Sequence, residues 1–284
     1  MCSDTCQRQG PPLRGRKKQL PEGVSTVRRL VLLTAVAAIA ITAVAYAVTD
    51  TLTYSSKMSY KGKPTTKKPA NLTYTGILHV DTDPAGSQPD TAPVTAVYYS
   101  KAIKNNAKYF PFCNMSEIDG QPDFPAKCDK AVVGTGTASS LAGTPGSPAS
   151  QSVREDLTVK AVNGPSGKVI YLVLTSKPGA PVAINNRVVP GFVVKAAGTF
   201  GFLTRFEVPA DLQEQLGLKI ALTDFNVKIS GKPRSVKVKG KTQKISYLQL
   251  TSCPGSLPVK AIATFNDSDT GNQKNITSTS SAKC

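Results

Sequence analysis

From Asn71 the chain alternates, with Leu72, Tyr74, Leu78 and Val80 on one phase and Asn71, Thr73, Thr75 and His79 on the other. That period of two predicts a half-buried β-strand, and the Pro, Gly and Asp between Asp81 and Asp90 predict the loop after it. Val169 to Leu174 is apolar on both phases, as a central strand covered on both faces would be. Leu218, Ile220 and Leu222 keep one phase while Phe225, Val227 and Ile229 keep the other, so a bulge or tight bend near Thr223 and Asp224 is needed to hold the apolar set inward. Only Pro209 to Leu216 reads as helix, with Pro at its start and Gly217 as its stop. Strand-length runs punctuated by 22 Gly and 21 Pro predict an all-β fold, a Greek-key-like β-sandwich over residues 71–284. The low-complexity stretch Gly134 to Ser150 reads as a long loop within one sandwich, with a domain split near 139–150 as the alternative.

The first part of the chain has a different pattern. Arg28 and Arg29 precede twenty uncharged residues, Leu30 to Thr49, which end in Ala45-Tyr46-Ala47, a small-x-small site of the kind export peptidases cut. Twenty helical residues span about 30 Å, one hydrocarbon core, so length also permits a retained transmembrane anchor. Seven Ala and three Thr make the run only moderately apolar, which suits a signal core cleaved after Ala47, with Ala45 and Ala47 as the small residues of the site. In either case the basic tail of residues 1–29 stays inside and residues 50–284 are expected outside the cytoplasm. Twenty-nine residues are long for the basic region of a signal, and Val24 is an alternative start; Arg28-Arg29 admits a twin-arginine route, and no lipobox precedes a cysteine. Residues 50–70, with Lys57, Lys61, Lys63, Lys67 and Lys68, read as a basic stalk leaving the membrane.

Export changes how the cysteines and charges are read. Cys2 and Cys6 fall in the inner tail, whereas Cys113, Cys128, Cys253 and Cys284 meet an oxidising compartment. Of three possible connectivities, Cys113 with Cys128 and Cys253 with Cys284 each bracket one local segment, and a loop near 15 residues contributes about 3 kcal/mol. The whole chain carries +17; removing the seven basic and two acidic side chains of residues 1–49 leaves 28 basic against 16 acidic, or +12. Seven of these, Lys228, Lys232, Arg234, Lys237, Lys239, Lys241 and Lys244, lie between Val227 and Lys244 without an acid. Alternation in Val236-Lys237-Val238-Lys239 predicts Lys237, Lys239 and Lys241 on one face with the valines inward. Such lysines protect an edge strand from pairing, or form a docking face for an anionic envelope component such as lipid headgroups or wall polymers. Nucleic acid is an unsuitable partner, because the segment has no interleaved aromatics and no binding motif.

The Cys113 to Cys128 segment with Val133-Gly134-Thr135-Gly136-Thr137-Ala138 after it, and the end Thr251-Ser252-Cys253-Pro254-Gly255, Pro258-Val259-Lys260-Ala261, Ala263-Thr264-Phe265 and Cys284, resemble uncharacterised exported β-rich proteins of high-GC Gram-positive bacteria. The resemblance covers most of residues 71–284. It implies an extracytoplasmic location and paired cysteines, and no activity.

Catalytic and cofactor constellations are absent from the sequence reading. His79 is the single histidine, so any triad or dyad must use it, and a lone strand histidine is most often structural. Ser280-Ser281-Ala282-Lys283 has Ser-x-x-Lys spacing without that mechanism's companion motifs. Gly134-Thr135-Gly136 lacks the third glycine and the helix of a dinucleotide fingerprint, and reads as strand or turn. Asp267 to Asn272 resembles part of a calcium loop, but its twelfth position is Ser278 and a hairpin turn fits better. Without Cys-x-x-Cys and with one histidine, a metal site is not expected. Asn-x-Ser/Thr at Asn71, Asn114, Asn266 and Asn275 matters only in a eukaryotic secretory route.

The sequence therefore predicts a non-catalytic, envelope-associated protein of binding or structural role, secreted or anchored with its amino end inside. Two rivals stand beside it. One is a carrier enclosing a lipid or other apolar ligand, which requires an apolar cavity. The other is a hydrolase built on carboxylates among Asp119, Asp123, Glu155, Asp156, Glu207 and Asp211.

Overall fold

The computed structural model describes residues 47–284. The basic tail, Ala45 and nearly all of the apolar run lie outside the described residues. Ala47 is exposed, Val48 is buried, and the first strand begins at once. Among the described residues no helix is long and apolar enough to cross a membrane.

Sixteen strands follow one another: β1 (Thr49–Ser59), β2 (Ala70–Asp83), β3 (Thr91–Ser100), β4 (Ile103–Asn105), β5 (Val132–Gly143), β6 (Val153–Asn163), β7 (Val169–Ser176) and β8 (Arg187–Lys195) in the first part. The rest are β9 (Phe200–Glu207), β10 (Glu214–Gln215), β11 (Leu218–Ile229), β12 (Arg234–Val238), β13 (Lys241–Ile245), β14 (Leu248–Leu250), β15 (Ser256–Asn266) and β16 (Gln273–Lys283). Among the described residues, helical structure is confined to short 3₁₀ turns.

Strand pairing is continuous rather than divided between two sheets. The antiparallel order β16-β15-β3-β9-β8-β7-β6-β5-β11-β2 is extended by β1 on β2, giving eleven long strands in one sheet. The sheet rolls until its ends meet. Lys274 of β16 reaches Asp50 of β1 at 3.3 Å, and Tyr54 of β1 is held by Ser278 and Ser280 of β16, its N–H donating to one hydroxyl and its carbonyl accepting from the other, both at 2.8 Å. Eleven is odd, so alternating strands bring β1 and β16 together running the same way, and their seam is closed by side chains instead of a backbone ladder. Tyr74 of β2 and Tyr99 of β3 meet inside the core, 5.3 Å apart between ring centres.

Several local readings hold. The alternating strand at Asn71 is the middle of β2, with Leu72, Tyr74, Leu78 and Val80 buried. The register of β11 against β5 shifts between Leu222 and Asp224, which keeps both apolar sets inward. The doubly apolar run is β7, whose inner side chains Leu172 and Leu174 face the interior. Its outer Tyr171 and Val173 are covered by the segment containing Cys113, Ile118 and Cys128. Cys113 and Cys128 are paired with Cα atoms 5.4 Å apart, and Cys253 and Cys284 with Cα atoms 5.6 Å apart. The stretch Gly134 to Ser150, expected as a long loop, is instead strand β5 as far as Gly143, and only residues 144–152 form the connection to β6.

Two further expectations are corrected. Residues 49–59 are not a stalk but β1, paired over its whole length with β2 from Thr49–Asp83 to Ser59–Thr73. Asp50 and Ser56 interrupt the apolar phase of Leu52, Tyr54 and Met58, which hides the alternation. Pro209 to Leu216 is not a helix; after a 3₁₀ turn at Ala210–Leu212 the chain forms β10 and returns as β11. Leu216 and Gly217, with φ of 53° and 79°, make the tight turn. A glycine after a Pro-led segment is thus a hairpin signal here, since eight residues are too few to hold a helix without tertiary burial.

Candidate functional site

The rolled sheet encloses a cavity of about 190 Å³. Its wall is drawn from the inward phase of most strands: Tyr54 and Leu78, Val97 and Tyr99, Ala138 and Leu157, Leu172 and Val189, Phe202 and Phe206, Leu222 and Phe225. The period-two alternation that builds the sheet therefore also makes this wall apolar. One water needs about 10–15 Å³ of such space, so the cavity is larger than a single-water void. Tyr54 and Tyr74 share a hydrogen bond at 2.8 Å, and the Tyr99 ring stacks on Phe202 at 4.6 Å. Burial raises the phenols of Tyr54, Tyr74, Tyr99 and Tyr247, so all four remain neutral. Room for the cavity comes partly from small residues. Gly136 lets β5 press against β11, where a Cβ would meet the Asn226 carbonyl oxygen at 2.0 Å; Gly134-Thr135-Gly136 is thus a strand of close approach.

The two ends of the barrel differ in charge. At the near end, where β1 begins, Asp83, Asp90, Asp211, Glu214, Asp267 and Asp269 lie in or beside the connections, four of them paired with Lys274, Arg187 or Lys219. Asp50, fully buried, and Asp90 both face Lys274 at 3.3 Å, with Asp267 at 3.9 Å. Burial pushes the Asp50 carboxyl up to about 6, with the Asp90 charge adding to it against the backbone N–H of Asp90 and the Lys274 ammonium. Burial works against the Lys274 charge, but Asp50 and Asp90 outweigh it and hold the ammonium above its ordinary value. Asp267 Oδ1 accepts from the N–H groups of Asp269 and Thr270, the Asx geometry of the β15–β16 hairpin turn.

The far end is basic. Lys61, Lys63, Lys67 and Lys68 are exposed in the β1–β2 connection. Lys228 closes β11, Lys232 follows it, and β12 and β13 form a separate two-stranded ribbon. Its register corrects the expected strip: Lys237 and Lys244 share the outward face with Ser235 and Thr242, whereas Lys241 pairs with Val238 on the other face. Lys239 is in the turn with Gly240, both at positive φ. Arg234 is structural, its guanidinium donating to the carbonyls of Lys130 and Val132. No acid occurs between Asp50 and Asp81 or between Asp224 and Asp267, so nothing in these two stretches offsets the lysines.

No family model, curated protein or solved structure matches this chain. Its chemistry is read from geometry alone.

The other candidates are dispersed. His79 lies on the outer face between Asp224 at 2.7 Å and Asp81 at 2.9 Å, and these bonds outweigh partial burial to raise its pKa. No hydroxyl or thiol nucleophile bonds to its ring. Ser280 is occupied by the seam. Arg187 gathers Asp119 and Asp211, Asp156 turns outward to Arg154 and Lys177, and Glu207 pairs with Arg205. Asp123 is exposed in the disulfide-bounded segment. The Cys113 and Cys128 sulfurs and a Glu117 oxygen lie within 4.8 Å of one another, but the sulfurs are bonded together and Glu117 is engaged by Lys127 at 2.8 Å. Sequence reasoning missed the Asp50, Asp90 and Lys274 cluster, whose members lie 224 residues apart at the extremes and converge only when the sheet closes.

Proposed function

We propose that the protein is an extracytoplasmic binding protein that holds an apolar ligand inside its rolled sheet, a non-catalytic role. The observation that carries this reading is the cavity of about 190 Å³ walled by the inward side chains of most strands. A structural protein of this size gains nothing from an empty apolar interior, since unfilled space forfeits dispersion contacts. The two cysteine pairs favour an oxidising compartment, and the Arg-Arg and apolar run supplies the export route. Exported protein extracted with organic solvent is expected to release an apolar compound that residues 48–284 then rebind. An interior that releases nothing and rebinds nothing contradicts the proposal.

The basic far end supports a second element of the role, docking on an anionic envelope polymer. The exposed lysines of the β1–β2 connection and of the β12–β13 ribbon are the groups that would meet such a polymer.

A further inference from the structure

Glu155 is the one inward-facing carboxylate of β6. Its strand exposes Arg154 and Thr158 and buries Glu155, Leu157, Val159 and Ala161, so the glutamate occupies a phase otherwise apolar. The register sets it directly opposite Ser140 and two residues from Leu157, and both of those line the cavity. It is 4 % exposed, yet neither Oε1 nor Oε2 has a hydrogen-bond partner among the described residues. The neighbouring charges do not serve it, because Arg154 and Asp156 pair with each other on the outer face. A carboxylate this buried costs several kcal/mol unless a donor meets it. The contrast with Asp50, equally buried but supplied with Lys274 and an N–H, marks Glu155 as lacking a partner from the protein.

We propose that Glu155 receives the polar end of an elongated amphiphile whose apolar body lies along the cavity, and that this end is a cationic hydrogen-bond donor of the ammonium type. The inference rests on the ligand-binding reading above and adds the chemical class of the ligand. Two observations converge on it. The cavity accepts a chain of methylene or isoprenoid groups, and the unpartnered carboxylate stands beside Ser140 and Leu157, which belong to the cavity's lining. An anionic head group at this position meets repulsion, and a neutral hydroxyl satisfies one acceptor without offsetting the charge.

The test uses residues 48–284 loaded with the fluorescent apolar probe N-phenyl-1-naphthylamine and displaced by octylamine, 1-octanol and octanoate, three ligands with the same tail. The expected order is octylamine tightest and octanoate weakest, with Glu155→Gln weakening octylamine by at least about tenfold and 1-octanol by less. Glu155→Met, which removes the acceptor and keeps the volume, is expected to erase the ranking while leaving probe binding intact. If the three ligands displace alike, or if the order survives both variants, the role of Glu155 is overturned and the binding interior stands. If neither the probe nor any ligand binds the folded protein, the ligand-binding reading fails and this inference with it.

Discussion

At the residue scale the decisive groups are two buried acids. Asp50 has a folded-state pKa of about 6 against an ordinary 3.8, so between those values the folded protein binds more protons than the unfolded one and stability falls as pH rises. The loss is on the order of 2–3 kcal/mol, complete above pH 6. Glu117, Asp156 and Asp267 are lowered by their partners and act in the opposite sense, with stability lost as pH falls from the ordinary carboxylate range through their depressed values. His79, raised by Asp224 and Asp81, contributes stability below 6.5 that is lost above it. Denaturant midpoints between pH 4 and 6 are therefore expected to slope downward, and Asp50→Asn to flatten that slope; an unchanged slope in the variant places the titration elsewhere. Glu155 differs because nothing offsets its desolvation. Glu155→Met is expected to raise stability by about 1–3 kcal/mol in chemical denaturation, and a loss of that size indicates a protein partner for the carboxylate.

At the element scale the strand β1 matters most. It fills the gap between β2 and β16, and the seam it makes with β16 depends on Lys274, Ser278 and Ser280. Lys274→Ala leaves Asp50 and Asp90 buried without a cation, and a cost of about 3 kcal/mol is expected at pH 7, shrinking toward pH 4 as Asp50 protonates. A uniform cost across that range speaks for lost packing instead. Limited trypsin digestion separates strand from stalk: cutting is expected after Lys61 and Lys67, whose next residues are not proline, and not at Lys57, where the backbone is paired with Thr75. How much was legible from sequence follows the same lines. β2, β7 and the bulge in β11 could be read because their apolar residues keep a period set by local geometry. β1 could not, since the inward position of Asp50 is justified only by Lys274 and the Asp90 N–H, partners that meet it when the sheet closes. The helix reading failed because Pro and Gly punctuate both helices and hairpins, and burial against β11 decided between them.

At the scale of the whole molecule, closure creates both features on which function rests. Individual strands predicted a half-buried sheet; only rolling turns its inward phase into a cavity wall, and only alternating strand direction sorts the acid-free segments to one end. Residues 60–69 and 230–245 are remote in sequence yet both lie at the far end, because β1 and β11 run the same way. Replacing Lys237, Lys239 and Lys241 by Glu is expected to abolish salt-sensitive retention on isolated cell wall while leaving interior probe binding unchanged; equal retention removes the docking role. The central claim concerns the cavity, and one titration addresses it most directly. N-phenyl-1-naphthylamine added to residues 48–284 is expected to brighten saturably at one site per chain, and Ala138→Phe, which places a ring into the cavity between Leu157 and Phe225, is expected to abolish the signal while the protein keeps its β circular dichroism. Saturable binding of equal strength in the filled variant would put the site outside the barrel and contradict the account.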